Sequence, residues 1–197
     1  MNNTLVFATG NAGKISEMMV LAQNSNITVS SPLDLVSQFG PVNDIPEIGT
    51  TYFENALIKA TAYNNWCKLP VFADDSGLEV DALEGKPGLY TARFAGPNAS
   101  DKENRSLMLK SLAGIKTRSA RFRCILVAII DQDVITSEGI LEGSIAESEC
   151  GGAGFGYDSI FIPTGETKTI AELKQLGVVV DTHRNRAFRK LEELINL

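Results

Sequence analysis

A chain of 197 residues, 44% hydrophobic and 21% charged, can bury a substantial core, and its composition is that of a folded globular protein rather than a disordered one. Its formal net charge of −6 argues against a general nucleic-acid or membrane binder, because such proteins draw affinity from a positive surface. Three separated cysteines (Cys67, Cys124, Cys150) without CxxC spacing, a longest apolar run of only Cys124 to Ile130, and no leader pattern in MNNTLVFATGN together suit a reduced, cytoplasmic protein.

The first apolar run (Leu5, Val6, Phe7, Ala8) predicts a strand that enters a Gly/Asn turn, Thr9-Gly10-Asn11-Ala12-Gly13-Lys14. The periodic Ile15, Met18, Met19 and Ala22 then predict a helix. A Pro/Ser/Asp-rich stretch, roughly 30 to 49, reads as a short strand followed by a long loop. Thr51 and Glu54 form a capping-box signature ahead of the helical stripe Phe53, Ala56, Leu57, Ala60, Tyr63, Cys67. Asn55 and Lys59, four apart, share a different face of that helix.

The segment LPVFADDSG predicts a buried strand ending in Asp74-Asp75 and a Gly turn, with LEVDAL (78–83) as a second strand. Ser100 and Glu103 open another helix with Leu107, Met108 and Leu112 inward. Residues 120–130 and 135–145 read as a hairpin turned at DQD. A glycine-rich loop, CGGAGFGYDSIFI, ends in a strand, and two helices, 169–176 and 186–195, close the chain. Strand–helix units mixed with a long hairpin predict an α/β fold with a mixed sheet. Residues 1–197 read as a single domain, with room for two lobes around a cleft.

Five clusters could carry chemistry. The opening turn offers backbone N–H groups, a helix start and the Lys14 charge to an anion, or it is a plain connecting turn. Asp74 and Asp75, with Ser76 and Gly77, offer hard oxygen ligands suited to Mg²⁺, or form a self-bonded polar turn. Glu47, in DIPEIG, is a solvated loop residue unless the fold brings it near Asp75. Phe155 and Tyr157, set among glycines and followed by Asp158, could cover a planar base or pack within their own loop. The single histidine, in Thr182-His183-Arg184, rules out a His₃ zinc site, and the absence of G-x-S-x-G rules out a nucleophile elbow. Carboxylates for a hard metal, lysines for phosphate and an aromatic glycine loop for a base together describe a nucleotide site.

These residues fall into an ordered set of motifs: TGN-x-x-K (9–14), E-x-G-x-T-Y-x-E-N-A-x-x-K-A (47–60), ADDSGL-x-V-D-x-L-x-G-x-P-G (73–88), Ala92-Arg93, GFGYD (154–158), AEL (171–173) and HR (183–184). The set closely resembles the inosine/xanthosine triphosphate pyrophosphatase family, whose members hydrolyse noncanonical purine nucleoside triphosphates to the monophosphate and pyrophosphate. The resemblance implies a Mg²⁺-dependent homodimer with a long mixed β-sheet flanked by helices and two lobes with an active-site cleft between them. It also implies that Thr9, Gly10, Asn11, Ala12, Gly13 and Lys14 bind the triphosphate, with Asn55, Lys59 and Ser76 as further substrate contacts. Glu47, Asp74 and Asp75 would be metal ligands, and Asp75 the proton acceptor for the attacking water. Phe155, Gly156, Tyr157 and Asp158 would hold base and sugar, and His183 and Arg184 the purine. A purine nucleoside triphosphate is the implied partner, with no nucleic acid and no membrane.

Three departures bear on that transfer. The family commonly has two glutamates and a threonine where this chain has Pro46-Glu47-Ile48; it has a lysine where this chain has Val178, a contact that is lost or supplied by Lys174; and Thr182 and Ser159 replace a serine and a proline. Two other functions share much of this pattern: a pyrophosphatase for modified pyrimidine nucleoside triphosphates, and a non-catalytic purine-nucleotide sensor.

Overall fold

The structure, a computed structural model, describes residues 4–195. Its elements in chain order are β1 (Thr4–Phe7), α1 (Ala12–Ala22), β2 (Thr28–Ser30), α2 (Val36–Phe39), α3 (Tyr52–Cys67), β3 (Val71–Val80), α4 (Asp101–Ser111), β4 (Ser119–Ile130), β5 (Asp133–Ile145), β6 (Phe161–Pro163), α5 (Ile170–Gln175) and α6 (His183–Ile195). Six strands form one mixed sheet in the order β2-β1-β3-β4-β5-β6. β1 pairs in parallel with β2 and β3, whereas β5 and β6 are antiparallel. Among the described residues no helix is long and apolar enough to cross a membrane.

The chain divides into two compact units. Among the described residues the first comprises 4–75, 124–139 and 184–195, and the second 76–123 and 140–183. Alternation along the strands organises the first unit. Leu5, Phe7 and Phe72 face Met18 of α1 and Ala187, Phe188 and Leu191 of α6, with Phe7 and Phe72 stacked at 4.8 Å. The intervening Val6, Ala8, Val71 and Ala73 face Ala56, Ala60 and Tyr63 of α3. The core of the second unit gathers Leu78 and Val80, Met108 and Leu112 of α4, Phe122, Leu141, Phe161 and Ile170.

Local chemistry sets several boundaries where the sequence predicts them. Thr51 Oγ1 accepts from Glu54 N at 3.1 Å and starts α3, although Glu54 returns its carboxylate to Thr50 rather than to Thr51. Full capping boxes start α4 at Ser100 and α5 at Thr169. Asp131 and Gln132, at φ 48° and 76°, form the two-residue left-handed turn that matches the twist of the β4–β5 hairpin.

Three expectations need correction. The 30–49 stretch is not all loop, since Ser31 caps a short 3₁₀ turn (Pro32–Leu35) that leads into α2. Residues 71–83 are not two strands around a turn: β3 runs unbroken through Asp74-Asp75-Ser76-Gly77 to Val80, and Asp81–Leu83 is a 3₁₀ turn. The last helix begins at His183, three residues before the expected start.

Candidate active site

Because β3 is extended through residues 74 and 75, the two aspartates point to opposite faces of the sheet. Their mutual repulsion, the reason to expect a shared cation, is relieved by separation, and each finds its own partners. Asp74 follows Phe72 toward α1 and α6, where Lys14 Nζ lies 2.9 Å from Oδ2 and 3.0 Å from Oδ1, while Arg184 Nε and Nη2 donate to Oδ2 at 3.2 Å. Arg184 also pairs through Nη1 with Glu17 Oε2. Asp74 is completely buried. Burial alone would raise its pKa, but Lys14, Arg184 and Lys59 outweigh it and hold the carboxyl well below the usual carboxylate range.

Asp75 follows Ala73 toward α3. Its Oδ2 accepts from Asn55 Nδ2 at 3.1 Å, and its Oδ1 lies 3.6 Å from Lys59 Nζ. The Lys59 ammonium also reaches Glu47 Oε1 at 2.6 Å. Asn55 Oδ1 in turn accepts from Gly49 N at 2.8 Å, so one buried amide ties the Glu47 loop to the Asp75 carboxylate. Burial raises the Asp75 pKa despite the nearby lysines, which favours it as a proton acceptor. Burial lowers the Lys59 pKa, but Asp74, Asp75 and Glu47 more than reverse this, so it stays cationic.

The opening turn completes this group. Thr9, two residues beyond β1, is buried and its Oγ1 accepts from Asn11 N at 3.2 Å, while Asn11 Oδ1 caps α1 by accepting from Lys14 N at 3.0 Å. Gly10, Asn11 and Ala12 are exposed. Ala12 and Gly13 belong to the first turn, whose N–H groups an α-helix leaves without an internal partner. The first unit therefore brings together Thr9 to Lys14, Glu47, Asn55, Lys59, Asp74 and Asp75.

Arg184 is placed differently from the expectation that it contacts a purine. Its side chain is 2% exposed and turned to Asp74 and Glu17, so it acts as an internal counter-charge. Glu17 is a further member of this site that no motif marks. Its position three residues after Lys14, on the same face of an amphipathic helix, was the available signal.

The glycine loop belongs to the second unit. Tyr157, expected against a base, is instead a core residue: its ring is buried and its hydroxyl donates to Thr91 O at 2.9 Å. Gly156 is an anchor, donating its N–H to Asp101 Oδ2 at 2.7 Å while its carbonyl accepts from Arg105 Nη1 at 2.8 Å. Asp101 and Arg105 are ordinary helix-surface charges and carry no sequence mark of a loop 55 and 51 residues away. Phe155 and Asp158 keep side chains with recognition chemistry. Asp158 Oδ2 accepts from Phe155 N at 3.2 Å and from Lys174 Nζ at 2.8 Å, and that ammonium lies 5.8 Å from the centre of the Phe155 ring. Gly154, at φ 91°, makes this fold-back possible. The His183 ring stacks on Phe122 at 4.8 Å. Ser76 is half-buried in β3 directly after Asp75.

Among the described residues no group of three or more His, Cys, Asp or Glu side chains could hold a metal by itself. Glu47 and Asp75, both within reach of one ammonium, offer two hard carboxylates. That donor set fits Mg²⁺, which commonly takes one or two carboxylates and completes its shell with water and substrate phosphates. Asp74 is the least available of the three expected ligands, because Lys14 and Arg184 already take up its oxygens.

Residues 5–194 match the Ham1 family. A dITP/XTP pyrophosphatase of Exiguobacterium sp. is 44% identical over 189 residues, covering 95% of this chain and 94% of the relative. The dITP/XTP pyrophosphatase of Bacillus subtilis is 41% identical, covering 96% of each. Among solved structures, a HAM1 protein from Coxiella burnetii superposes with a TM-score of 0.84 at 34% identity, covering 98% of both chains. With the match running from β1 into α6, this chain belongs to the Ham1 family.

Proposed function

We propose that this chain is a nucleoside triphosphate pyrophosphohydrolase that converts noncanonical purine nucleoside triphosphates (dITP, XTP and ITP) to the monophosphate and pyrophosphate. The observation that carries the reading is the convergence of Lys14 and Lys59, from α1 and α3, on the Asp74-Asp75 step of one strand. The ion-paired groups there are three cations (Lys14, Lys59, Arg184) and four carboxylates (Glu17, Glu47, Asp74, Asp75), a net negative set that would repel a triphosphate on its own. A divalent ion reverses that balance, so a metal–nucleotide complex is the species this group suits.

Glu47 and Asp75 would hold Mg²⁺, which supplies phosphate-charge neutralisation and a more acidic water. Asp75 accepts the proton of the attacking water. Lys14, Lys59 and the N–H groups at the start of α1 neutralise the phosphate oxygens as charge builds on the leaving pyrophosphate. Thr9 and Asn11 set the shape of that turn, Asn55 orients Asp75, and Ser76 contacts the substrate. Base and sugar fall to Phe155, Asp158 and His183. The 6-keto oxygen shared by hypoxanthine and xanthine calls for a donor, and with Arg184 buried against Asp74 and Glu17, Lys174 beside Phe155, paired with Asp158 but 30% exposed, is the side chain assigned to it. A homodimer is the assembly that the family resemblance implies, and the composition suits a cytoplasmic setting.

The test is pyrophosphate release with and without Mg²⁺ across ITP, XTP, dITP and the normal triphosphates. Turnover should require Mg²⁺ and favour the 6-keto substrates over ATP by orders of magnitude, since a site built for one hydrogen-bond pattern leaves buried groups unpaired with the other. Comparable kcat/KM for ATP and ITP contradicts the reading. Asp75→Asn should keep nucleotide binding and lose turnover by at least ~100-fold, the low end for a general base.

A further inference from the structure

We infer that Lys59 and the divalent ion compete for the same carboxylate oxygens, so that metal binding displaces the Lys59 ammonium from Glu47 and Asp75 and transfers it to the nucleotide's phosphates. The inference rests on the assignment of Glu47 and Asp75 as the metal pair. What it adds is an exchange. Lys59 Nζ sits 2.6 Å from Glu47 Oε1 and 3.6 Å from Asp75 Oδ1, with its side chain 11% exposed. Asn55 holds the other oxygen of Asp75, which leaves Oδ1 turned to the ammonium.

The two cations cannot share these oxygens. Mg²⁺ requires carboxylate oxygens at about 2.1 Å in a near-octahedral shell. An ammonium bridging the same two carboxylates would lie within a few ångströms of it, where like charges repel strongly. The backbone need not move for the exchange, because lysine carries a compact charge on a flexible four-carbon stem. Gly49 remains tied to Asn55, so the loop bearing Glu47 stays in place while the ammonium leaves.

A purely organising role for Lys59 predicts the opposite sign. If the ammonium only holds two repelling carboxylates together for the metal, removing it weakens metal binding. If it competes, removing it strengthens metal binding.

The experiment titrates Mn²⁺ into the full-length, nucleotide-free protein and follows free Mn²⁺ by electron paramagnetic resonance. Lys59→Met should bind Mn²⁺ at least about tenfold more tightly than wild type, and Lys59→Arg, which keeps a cation there, no more tightly than wild type. Equal or weaker binding by Lys59→Met overturns the exchange. A second measurement needs no variant: acetic anhydride labelling of native protein, read by mass spectrometry. Lys59 should be protected alone, reactive with saturating Mn²⁺, and protected again when the α,β-methylene analogue of ITP is added; labelling unchanged by Mn²⁺ overturns the proposal. Glu47→Gln and Asp75→Asn separate the two levels. If neither weakens wild-type Mn²⁺ binding, the metal pair itself is wrong and the exchange falls with it.

Discussion

Arg184 and Asp74, 110 positions apart in the chain, bury their charges against each other: Nη2 and Oδ2 are 3.2 Å apart, with the arginine side chain 2% exposed and the aspartate fully enclosed. Glu17 and Lys14 complete an alternation of sign in which each charge has an opposite neighbour. Removing one member strands the others in a medium where a lone ion is expensive. Arg184→Met should therefore destabilise the protein by about 3–5 kcal/mol, the range for breaking a buried pair, measured by urea unfolding. A change below about 1 kcal/mol, the value of an exposed pair, would show that the network is solvated.

The two aspartates of β3 make opposite contributions to the pH dependence of stability. Asp74 has a native pKa held below its unfolded value, so its contribution is fully present above about pH 4 and is lost as pH falls toward the depressed native value. Asp75 has a raised native pKa, so its contribution is present below the unfolded value and is lost as pH rises through the native one. In urea unfolding between pH 2 and pH 7, Asp74→Asn should flatten the acid loss of stability and Asp75→Asn should steepen it.

Gly49 has no room for a side chain. A Cβ there would meet Asn55 Oδ1 at 2.7 Å and Asn55 N at 2.9 Å, the amide that links the Glu47 loop to Asp75. Gly49→Ala should cost about 1–3 kcal/mol, as overpacking does. It should also raise the Mg²⁺ concentration needed for half-maximal turnover, because Asn55 can no longer hold both groups. Thermal unfolding and a Mg²⁺ titration of activity check the two effects separately.

Gly154 combines a positive φ of 91° with a Cβ position 2.0 Å from Asp158 Oδ2. Alanine there must break the fold-back that joins Phe155 N, Asp158 and Lys174. Steady-state kinetics of Gly154→Ala with ITP should show KM rising more than kcat falls. A pure kcat defect would place this loop outside substrate binding.

Features governed by near neighbours were legible from the residues alone. The capping side chains at Thr51 and Ser100 each bond a backbone N–H three residues on, and their helices begin where that chemistry allows. The β4–β5 hairpin, the α1 stripe and the α3 stripe from Ala56 to Cys67 follow from periodicity in the same way, whereas Phe53, expected at the head of the α3 stripe, is 41% exposed. The motif order that marks the family is likewise a one-dimensional property, and so was the grouping of Lys14, Lys59 and Asp75 that it implied.

What the residues misstated depends on partners distant in the chain. Asp-Asp-Ser-Gly carries the local chemistry of a turn. It is extended because Lys14, Arg184, Asn55 and Lys59, supplied by three helices, satisfy on opposite faces the charges a turn would have satisfied within itself. For the same reason Arg184 became a buried counter-ion, Tyr157 a core residue and Glu17 a site neighbour. A side chain's role follows the charge and burial of whatever packs against it, and folding alone brings those neighbours within reach.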